Sequence, residues 1–328
     1  MSIISVRDLS KTFKKPIRKG GFIGMIKSLF SKKYEEIRAV DNISFDIEEG
    51  EIVGYIGANG AGKSTTIKMM CGILHPTSGS VTVDGMDFEK SRQKINREMG
   101  VVFGQKTQLW WDIPLIETFK ILKSIYEVSD EEYNERFEYL CELLDMKPFL
   151  TQTVRSLSLG QRMRADFAAA LIHSPKIVYL DEPTIGLDVL VKDKIRGAIK
   201  ELNKKYNITV ILTTHDMKDI EELCNRIIII DKGRILYDGS LDGIKYRFGN
   251  TKTVIIPSNI ELDETELNNN FTGVSVEDKD EHKAIKFSLN EVDLDDLLMY
   301  LINTYHIKDF KIEDISIEDI TKKLYEKH

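Results

Sequence analysis

Apolar and polar positions alternate along the first 250 residues in a strand–helix–strand rhythm, and the texture changes after Gly249. ISVRDLSKTF (4–13) reads as an opening strand. Residues 14–38 interrupt it with Pro16, Gly20, Gly21 and Gly24. RAVDNISFDIEEGEIVGYIG (38–57) then resumes as two strands around an acidic turn, Glu48–Glu49–Gly50. PTSGSVTVDGMD (76–87) predicts turn, strand, turn, and GVVFGQ (100–105) another strand. From Pro114 to His173 the spacing becomes helical, in PLIETFKILKSIYEV, DEEYNERFEYLCELLDM and LGQRMRADFAAALIH. Strands return at KIVYLDEP (176–183) and ITVILTTH (208–215), with the helix DVLVKDKIRGAIKELNKKY between them. RIIIIDKGRILYDG (226–239) reads as a hairpin around Lys232–Gly233. Such alternation implies a parallel sheet with its ligand site at the strands' carboxyl ends, and an inserted helical subdomain at about 106–173.

After Gly249, TKTVIIPS, GVSVED, AIKFSL and KDFKIEDIS read as strands. NEVDLDDLLMYLINTYH and IEDITKKLYEKH read as helices. A small accessory α+β domain over 250–328, of ferredoxin-like type, accounts for this pattern.

One loop adds chemistry. GANGAGKST (57–65) fits the spacing G-x-x-x-x-G-K-[ST]. Gly57, Asn59, Gly60, Ala61 and Gly62 let consecutive N–H groups turn inward around a polyphosphate, and a helix starting near Gly62 adds its positive end. Lys63 can reach the β/γ-phosphates, and Ser64 can place its hydroxyl on Mg²⁺, with Thr65 following. IVYLDE (177–182) ends an apolar strand in two carboxylates. Asp181 suits the Mg²⁺ shell, and Glu182 suits a water beside the γ-phosphate.

The order of further motifs now carries a resemblance. SLSLGQRMR (156–164) resembles the signature motif of ABC-type ATPases. Gln105 follows a strand as the family's Q-loop does, Ile185–Gly186–Leu187–Asp188 resembles its D-loop, and His215 ends the next strand as its switch histidine does. Phe13 matches the aromatic that stacks on adenine. The match covers about residues 1–240 and implies a specific fold. It is an α/β P-loop ATPase with a RecA-like core, an antiparallel β subdomain and a helical subdomain, plus the small C-terminal β/α domain. The resemblance implies ATP hydrolysis by two subunits facing head to tail, a homodimer. The signature residues Ser158, Gly160 and Gln161 then bind the other subunit's ATP, with Asp188 in the D-loop. Glu182 would be the base, His215 the γ-phosphate partner, and Gln105 a Mg²⁺ contact that links to a permease. One departure stands out: the common LSGGQ has Leu159 in place of its first glycine, so this side chain must point away from the phosphate.

The C-terminal extension and Trp110–Trp111 after the Q-loop resemble prokaryotic ATPases that serve separate drug or polysaccharide export permeases. That implies a peripheral place on the cytoplasmic face of the cell membrane. The pair Trp110–Trp111 reads either as a permease-docking surface or as core of the helical subdomain. Within the interruption, Phe22, Ile23, Met25, Ile26, Leu29 and Phe30 share a helical face ringed by Lys19, Lys27, Lys32 and Lys33, which suits a membrane surface or permease flank.

Composition narrows the alternatives. The 328 residues are 42% apolar and 30% charged, enough for a sizeable core. Cys71, Cys141 and Cys224 lie far apart and fit buried thiols in a reducing compartment. The N-terminus lacks a signal-peptide core, and no run reaches the ~18 apolar residues of a membrane span. Residues 14–38 carry eight Lys/Arg against two Glu, and 250–328 nine Lys/Arg against eighteen Asp/Glu. With a total of −7, no nucleic-acid partner is expected. A soluble ABC ATPase with a regulatory or translation-related role is the competing class. Translation-type members usually carry two cassettes, and this chain shows one set of motifs.

Overall fold

The structure, a computed structural model, describes residues 2–16, 34–104, 106–248, 250–278 and 281–326. The amphipathic stretch expected at 22–30 and the Q-loop residue Gln105 lie outside them. The chain divides into two compact units, Met1–Asp238 and Gly239–His328.

In the first unit, β1 (Ser2–Pro16) and β2 (Tyr34–Glu48) form a long antiparallel pair. Its inner half buries Ile4, Val6 and Leu9 against Val40, Phe45 and Ile47, the alternation a one-sided sheet requires. Its outer half runs into both ends of the 14–38 stretch, where Lys14 and Lys15 face Glu36 and Glu35. β3 (Ile52–Gly57) leads into α1 (Lys63–Met70). β4 (Ser78–Val83) and β5 (Met86–Asp87) complete an antiparallel sheet of order β2-β1-β4-β5. The charged helix α2 (Phe88–Arg97), capped by Asp87, leads to β6 (Met99–Phe103).

The helical region follows as α3 (Leu115–Tyr126), α4 (Asp130–Leu143) and α5 (Leu159–Leu171). Ser129 and Glu132 close a capping box at the start of α4, so its first orphan N–H groups are satisfied locally. Then β7 (Ile177–Asp181), α6 (Val189–Tyr206), β8 (Thr209–Thr213), α7 (Met217–Leu223), β9 (Arg226–Asp231) and β10 (Arg234–Ser240) alternate. The central sheet has the order β10-β9-β3-β8-β7-β6. β3, β6, β7, β8 and β9 run parallel. Ile177, Val178, Tyr179 and Leu180 are all buried, the continuous apolar run of a strand covered on both faces. Lys232 and Gly233 both take positive φ in the turn before β10, as a two-residue hairpin loop demands.

The second unit begins with α8 (Leu241–Phe248), followed by β11 (Thr251–Pro257), α9 (Glu264–Asn270), β12 (Ser275–Asp278), β13 (His282–Ser288), α10 (Leu294–Tyr305), β14 (Lys311–Asp314) and α11 (Ile317–Glu326). From β11 to β14 the order is βαββαβ in an antiparallel sheet β12-β13-β11-β14, the ferredoxin-like arrangement. Val254, Ile256, Ile285 and Phe287 from the sheet pack on Leu267, Leu297 and Leu301 from α9 and α10. Among the described residues no helix is long and apolar enough to cross a membrane.

Candidate functional site

The site forms where parallel strands end. Gly57 closes β3, and a Cβ there would lie 2.5 Å from the Ile230 carbonyl oxygen, so only glycine lets the loop leave past β9. At Gly62 the chain takes φ of 111°, a left-handed conformation, and a Cβ would meet the Ala39 oxygen at 2.5 Å. Asn59 and Gly60 form the exposed crest, Ala61 is buried, and Thr65 is half-buried. The β9–β10 turn supports the loop from below: Gly233 N–H donates to Ala61 O at 2.9 Å, and Asp41 N–H to Gly233 O at 2.9 Å.

Lys63 opens α1 with its side chain buried. Its ammonium donates to Gly57 O at 2.6 Å and Ala58 O at 3.2 Å. Burial lowers its pKa, while the carboxylates of Glu182 and Asp181 pull the other way. Ser64 Oγ lies 3.5 Å from Asp181 Oδ1, which also accepts from Thr213 Oγ1 at 2.6 Å.

Glu182 follows Asp181 with φ of 56°, a strained conformation for a residue with a side chain. Two contacts hold it. Its N–H donates to Thr213 O at 2.9 Å, and Gly104 approaches so closely that a Cβ there would sit 2.3 Å from Glu182 O. Glu182 Oε1 and His215 Nε2 are 2.9 Å apart. A cleft of about 400 Å³ is lined by Ser64, Phe103, Gly104, Lys106, Asp181 and Glu182. A second of about 220 Å³ joins Glu182 to Ile185, Lys192, His215 and Asp216.

Behind this pair lies a buried network with no signal in any one segment. Asp219 accepts from Thr184 Oγ1 at 2.6 Å, Thr214 Oγ1 at 3.0 Å and Arg196 Nη1 at 2.7 Å. Thr184 is two residues after Glu182, and Thr214 one before His215, so one carboxylate sets the distance between both arms. Lys192 donates to Asp216 at 2.7 Å and holds that carboxyl below its usual pKa.

The signature residues sit elsewhere. Ser158 is the N-cap of α5: its Oγ accepts from Gln161 N–H at 3.2 Å, and Gln161 Oε1 accepts from Ser158 N–H at 2.9 Å. Leu159 lies over Gly186, whose Cβ position is 3.3 Å from Leu159 Cδ2. Gly160 faces Val191 of α6, whose first turn is capped by Asp188 at 2.9 Å. Among the described residues Ser158, Gly160 and Gln161 make no hydrogen bond to the phosphate loop. Phe13 is 41% exposed, opposite Ile37 on the outer hairpin, with Lys11 Nζ 5.5 Å from its ring. Trp110 and Trp111 are 40% and 49% exposed, which removes the core reading of this pair.

Lys63, Ser64, Asp181, Glu182 and His215 therefore converge, and Phe13 lies on the hairpin whose Ala39 carbonyl backs Gly62. The sequence offered no marker for Gly104, Asp219 or Arg196.

The chain is similar to known proteins in sequence and in fold. The family described as "ABC transporter" matches residues 40–185. NatA, an ABC transporter ATP-binding protein of Bacillus subtilis (strain 168), is 34% identical over 215 residues, 66% of this chain and 87% of that protein. YbhF of Escherichia coli (strain K12), a probable multidrug ABC transporter ATP-binding protein, is 36% identical over 67% of this chain and 38% of its own length. The methionine import ATP-binding protein MetN of Geobacillus kaustophilus (strain HTA426) is 35% identical over 66% and 64%. Among solved structures, a dimeric ATP-binding cassette in a post-hydrolysis state with ADP and phosphate is similar. Its TM-score is 0.61 at 28% identity, covering 73% of this chain and 98% of that one. The chain belongs to the ATP-binding subunits of ABC transporters, a family of ATPases.

Proposed function

We propose that this subunit energises export through a membrane permease by closing head to tail with a second copy over two molecules of MgATP. The observation that carries the hydrolytic part is the convergence of Lys63, Ser64, Asp181, Glu182 and His215 at the carboxyl ends of parallel strands, with Glu182 2.9 Å from His215. In this reading residues 1–240 are the ATPase domain and 250–328 an accessory domain.

Lys63 exchanges its bonds to the Gly57 and Ala58 carbonyls for β- and γ-phosphate oxygens. Ser64 and Asp181 present a hydroxyl and a carboxylate 3.5 Å apart, a hard-oxygen pair that fits Mg²⁺, and Gln105 is assigned a third contact. When bound, Mg²⁺ neutralises charge on the β- and γ-oxygens. Glu182 takes a proton from water as its oxygen bonds to the γ-phosphorus and the bond to the β–γ bridging oxygen breaks. His215 orients Glu182 and donates to the γ-phosphate. The N-terminus of α5 offers Ser158, Gly160 and Gln161 to the partner's γ-phosphate, a site where a helix dipole favours anions. Phe13 stacks on adenine.

The exposed Trp110 and Trp111 suit a permease surface, since aromatic residues half in water anchor interfaces. The subunit then works as a peripheral protein on the cytoplasmic face of a prokaryotic membrane. Export is supported by the family resemblance and by the multidrug name of one relative, while the import name of another makes direction the point to test. Inside-out vesicles carrying the subunit and its co-purified permease should accumulate substrate when MgATP is added. Accumulation only in right-side-out vesicles, with MgATP sealed inside them, would reverse the direction.

A further inference from the structure

Asp166 is a carboxylate in the interior of α5, 5% exposed and set among Ala165, Phe167 and Ala168. A charge in such a place is costly unless something uses it. Its Oδ1 accepts from Thr107 Oγ1 at 2.9 Å and from Gln108 N–H at 3.0 Å. Gln108 Nε2 returns a bond to Asp166 O at 3.1 Å, and Thr107 Oγ1 accepts from Leu109 N–H at 3.1 Å. The backbone from 107 to 109 is thus tied to one turn of the signature helix. That backbone lies between Gln105 and the exposed pair Trp110–Trp111. Arg162, one turn earlier on α5, adds a second tie: its guanidinium lies 5.4 Å from the Trp111 ring, and its charge favours the ionised Asp166. Burial nonetheless pushes the Asp166 pKa up to about 6.

We propose that Asp166 is a positioning residue that latches the segment after Gln105 onto the signature helix, so that both move as one piece when two subunits close on ATP. This rests on the head-to-tail reading above. It adds that the two surfaces meeting different partners, ATP in trans and the permease, are joined through the Asp166 carboxylate, with Gln108 and Arg162 as further ties. The latch needs an acceptor oxygen at Oδ1, which asparagine also supplies, and which alanine lacks.

The test uses the full chain. Glu182→Gln is first mixed with MgATP and its dimer measured by light scattering; if this parent stays monomeric, the head-to-tail reading fails. With a dimerising parent, Asp166→Ala in the same background should raise the ATP concentration needed for half-dimerisation by roughly tenfold, since small misplacements carry large costs. In the otherwise unaltered chain Asp166→Ala should lower kcat by roughly tenfold, with the equilibrium ATP affinity of the monomer within about threefold. Asp166→Asn should restore both readouts. Thr107→Val approaches the same latch from the other side, and the double variant should be no worse in kcat than Asp166→Ala alone. Unaltered dimerisation and kcat in folded Asp166→Ala, additive losses in the double variant, or an Asp166→Asn as impaired as Asp166→Ala would each overturn the latch. If Asp166→Ala does not fold, Thr107→Val decides: full kcat there overturns it.

Discussion

The two surfaces assigned to ATP are built in different ways. The phosphate-loop side is fixed from behind. Gly57 and Gly62 are pressed against neighbouring backbone, Gly233 braces Ala61, and Glu182 is held in a strained conformation by Thr213 and Gly104. The signature side is a helix end whose polar groups satisfy one another, Ser158 with Gln161, while Leu159 rests on Gly186 and Gly160 on Val191. A pre-set half holds its geometry through many long-range contacts and tolerates little change. A self-capped half holds its shape with local bonds and leaves its outer face for another molecule. Losses of chemistry should therefore come from the first half, and losses of assembly without loss of fold from the second.

The sharpest break of this comparison is Glu182→Gln. Removing a general base costs about 10²–10⁴ in rate, and ATP binding should persist because no phosphate contact is lost. Steady-state turnover with a parallel ATP-binding titration checks this, and turnover near that of the unaltered chain would take Glu182 out of the role of base.

Next in size is Arg196→Met, which leaves Asp219 buried without its cation. Breaking such a pair costs about 3–5 kcal/mol, and here the damage should reach chemistry because Thr184 and Thr214 share the same carboxylate. Urea denaturation gives the first effect, and kcat in the folded fraction gives the second. A chain that loses stability yet keeps full kcat would separate the network from the Glu182–His215 distance.

How far the site could be read from sequence follows the same division. The phosphate loop and the acidic strand end were legible because their chemistry demands a fixed local spacing, and the strands of the central sheet because full burial leaves unbroken apolar runs such as IVYL. The helix α2 leaves no periodic trace in the sequence, since only Ile95 of its ten residues is buried. The helix α7 is too short to register one, with seven residues. Asp219, Arg196 and Thr184 come together from three elements, so nothing in any single stretch marks them. Asp166 sits inside a run that reads simply as helix, and its partners are 58 and 59 residues away. At the Leu159 departure the side chain rests on Gly186 of the same chain and stays 38% exposed.

A smaller effect has a defined pH window. The folded chain raises the Asp166 pKa from 3.8 to about 6, so the folded state holds a proton more tightly than the unfolded one. Stability from this group is therefore full below pH 4 and lost as pH rises through 6. His173 acts in the opposite direction, since burial lowers its pKa to about 4 and stability falls as pH drops below its unfolded value. Comparing Asp166→Asn with the unaltered chain cancels the histidine contribution. The variant should be more stable at pH 8 by on the order of 2–3 kcal/mol, with the difference vanishing near pH 4. Thermal unfolding at both pH values reads it, and equal stability at pH 8 would mean that the charge is already compensated by Thr107, Gln108 and Arg162.

The smallest expected effect on the fold separates the two duties of Ser158. As an N-cap it should be worth about 1 kcal/mol, so Ser158→Ala should lower stability by about that much. Aspartate caps as well as serine does, because its carboxylate accepts the same Gln161 N–H, and the helix dipole favours its charge. Ser158→Asp should therefore unfold at the same denaturant concentration as the unaltered chain and bind ATP normally as a monomer. Its carboxylate would nevertheless face the partner's γ-phosphate, and like charges brought together as two subunits close oppose closure. In the Glu182→Gln background Ser158→Asp should fail to dimerise with MgATP while Ser158→Ala still does. Dimerisation of the aspartate variant at ordinary ATP concentrations would show that this helix end does not meet a phosphate in trans, and would leave Ser158 with its capping role alone.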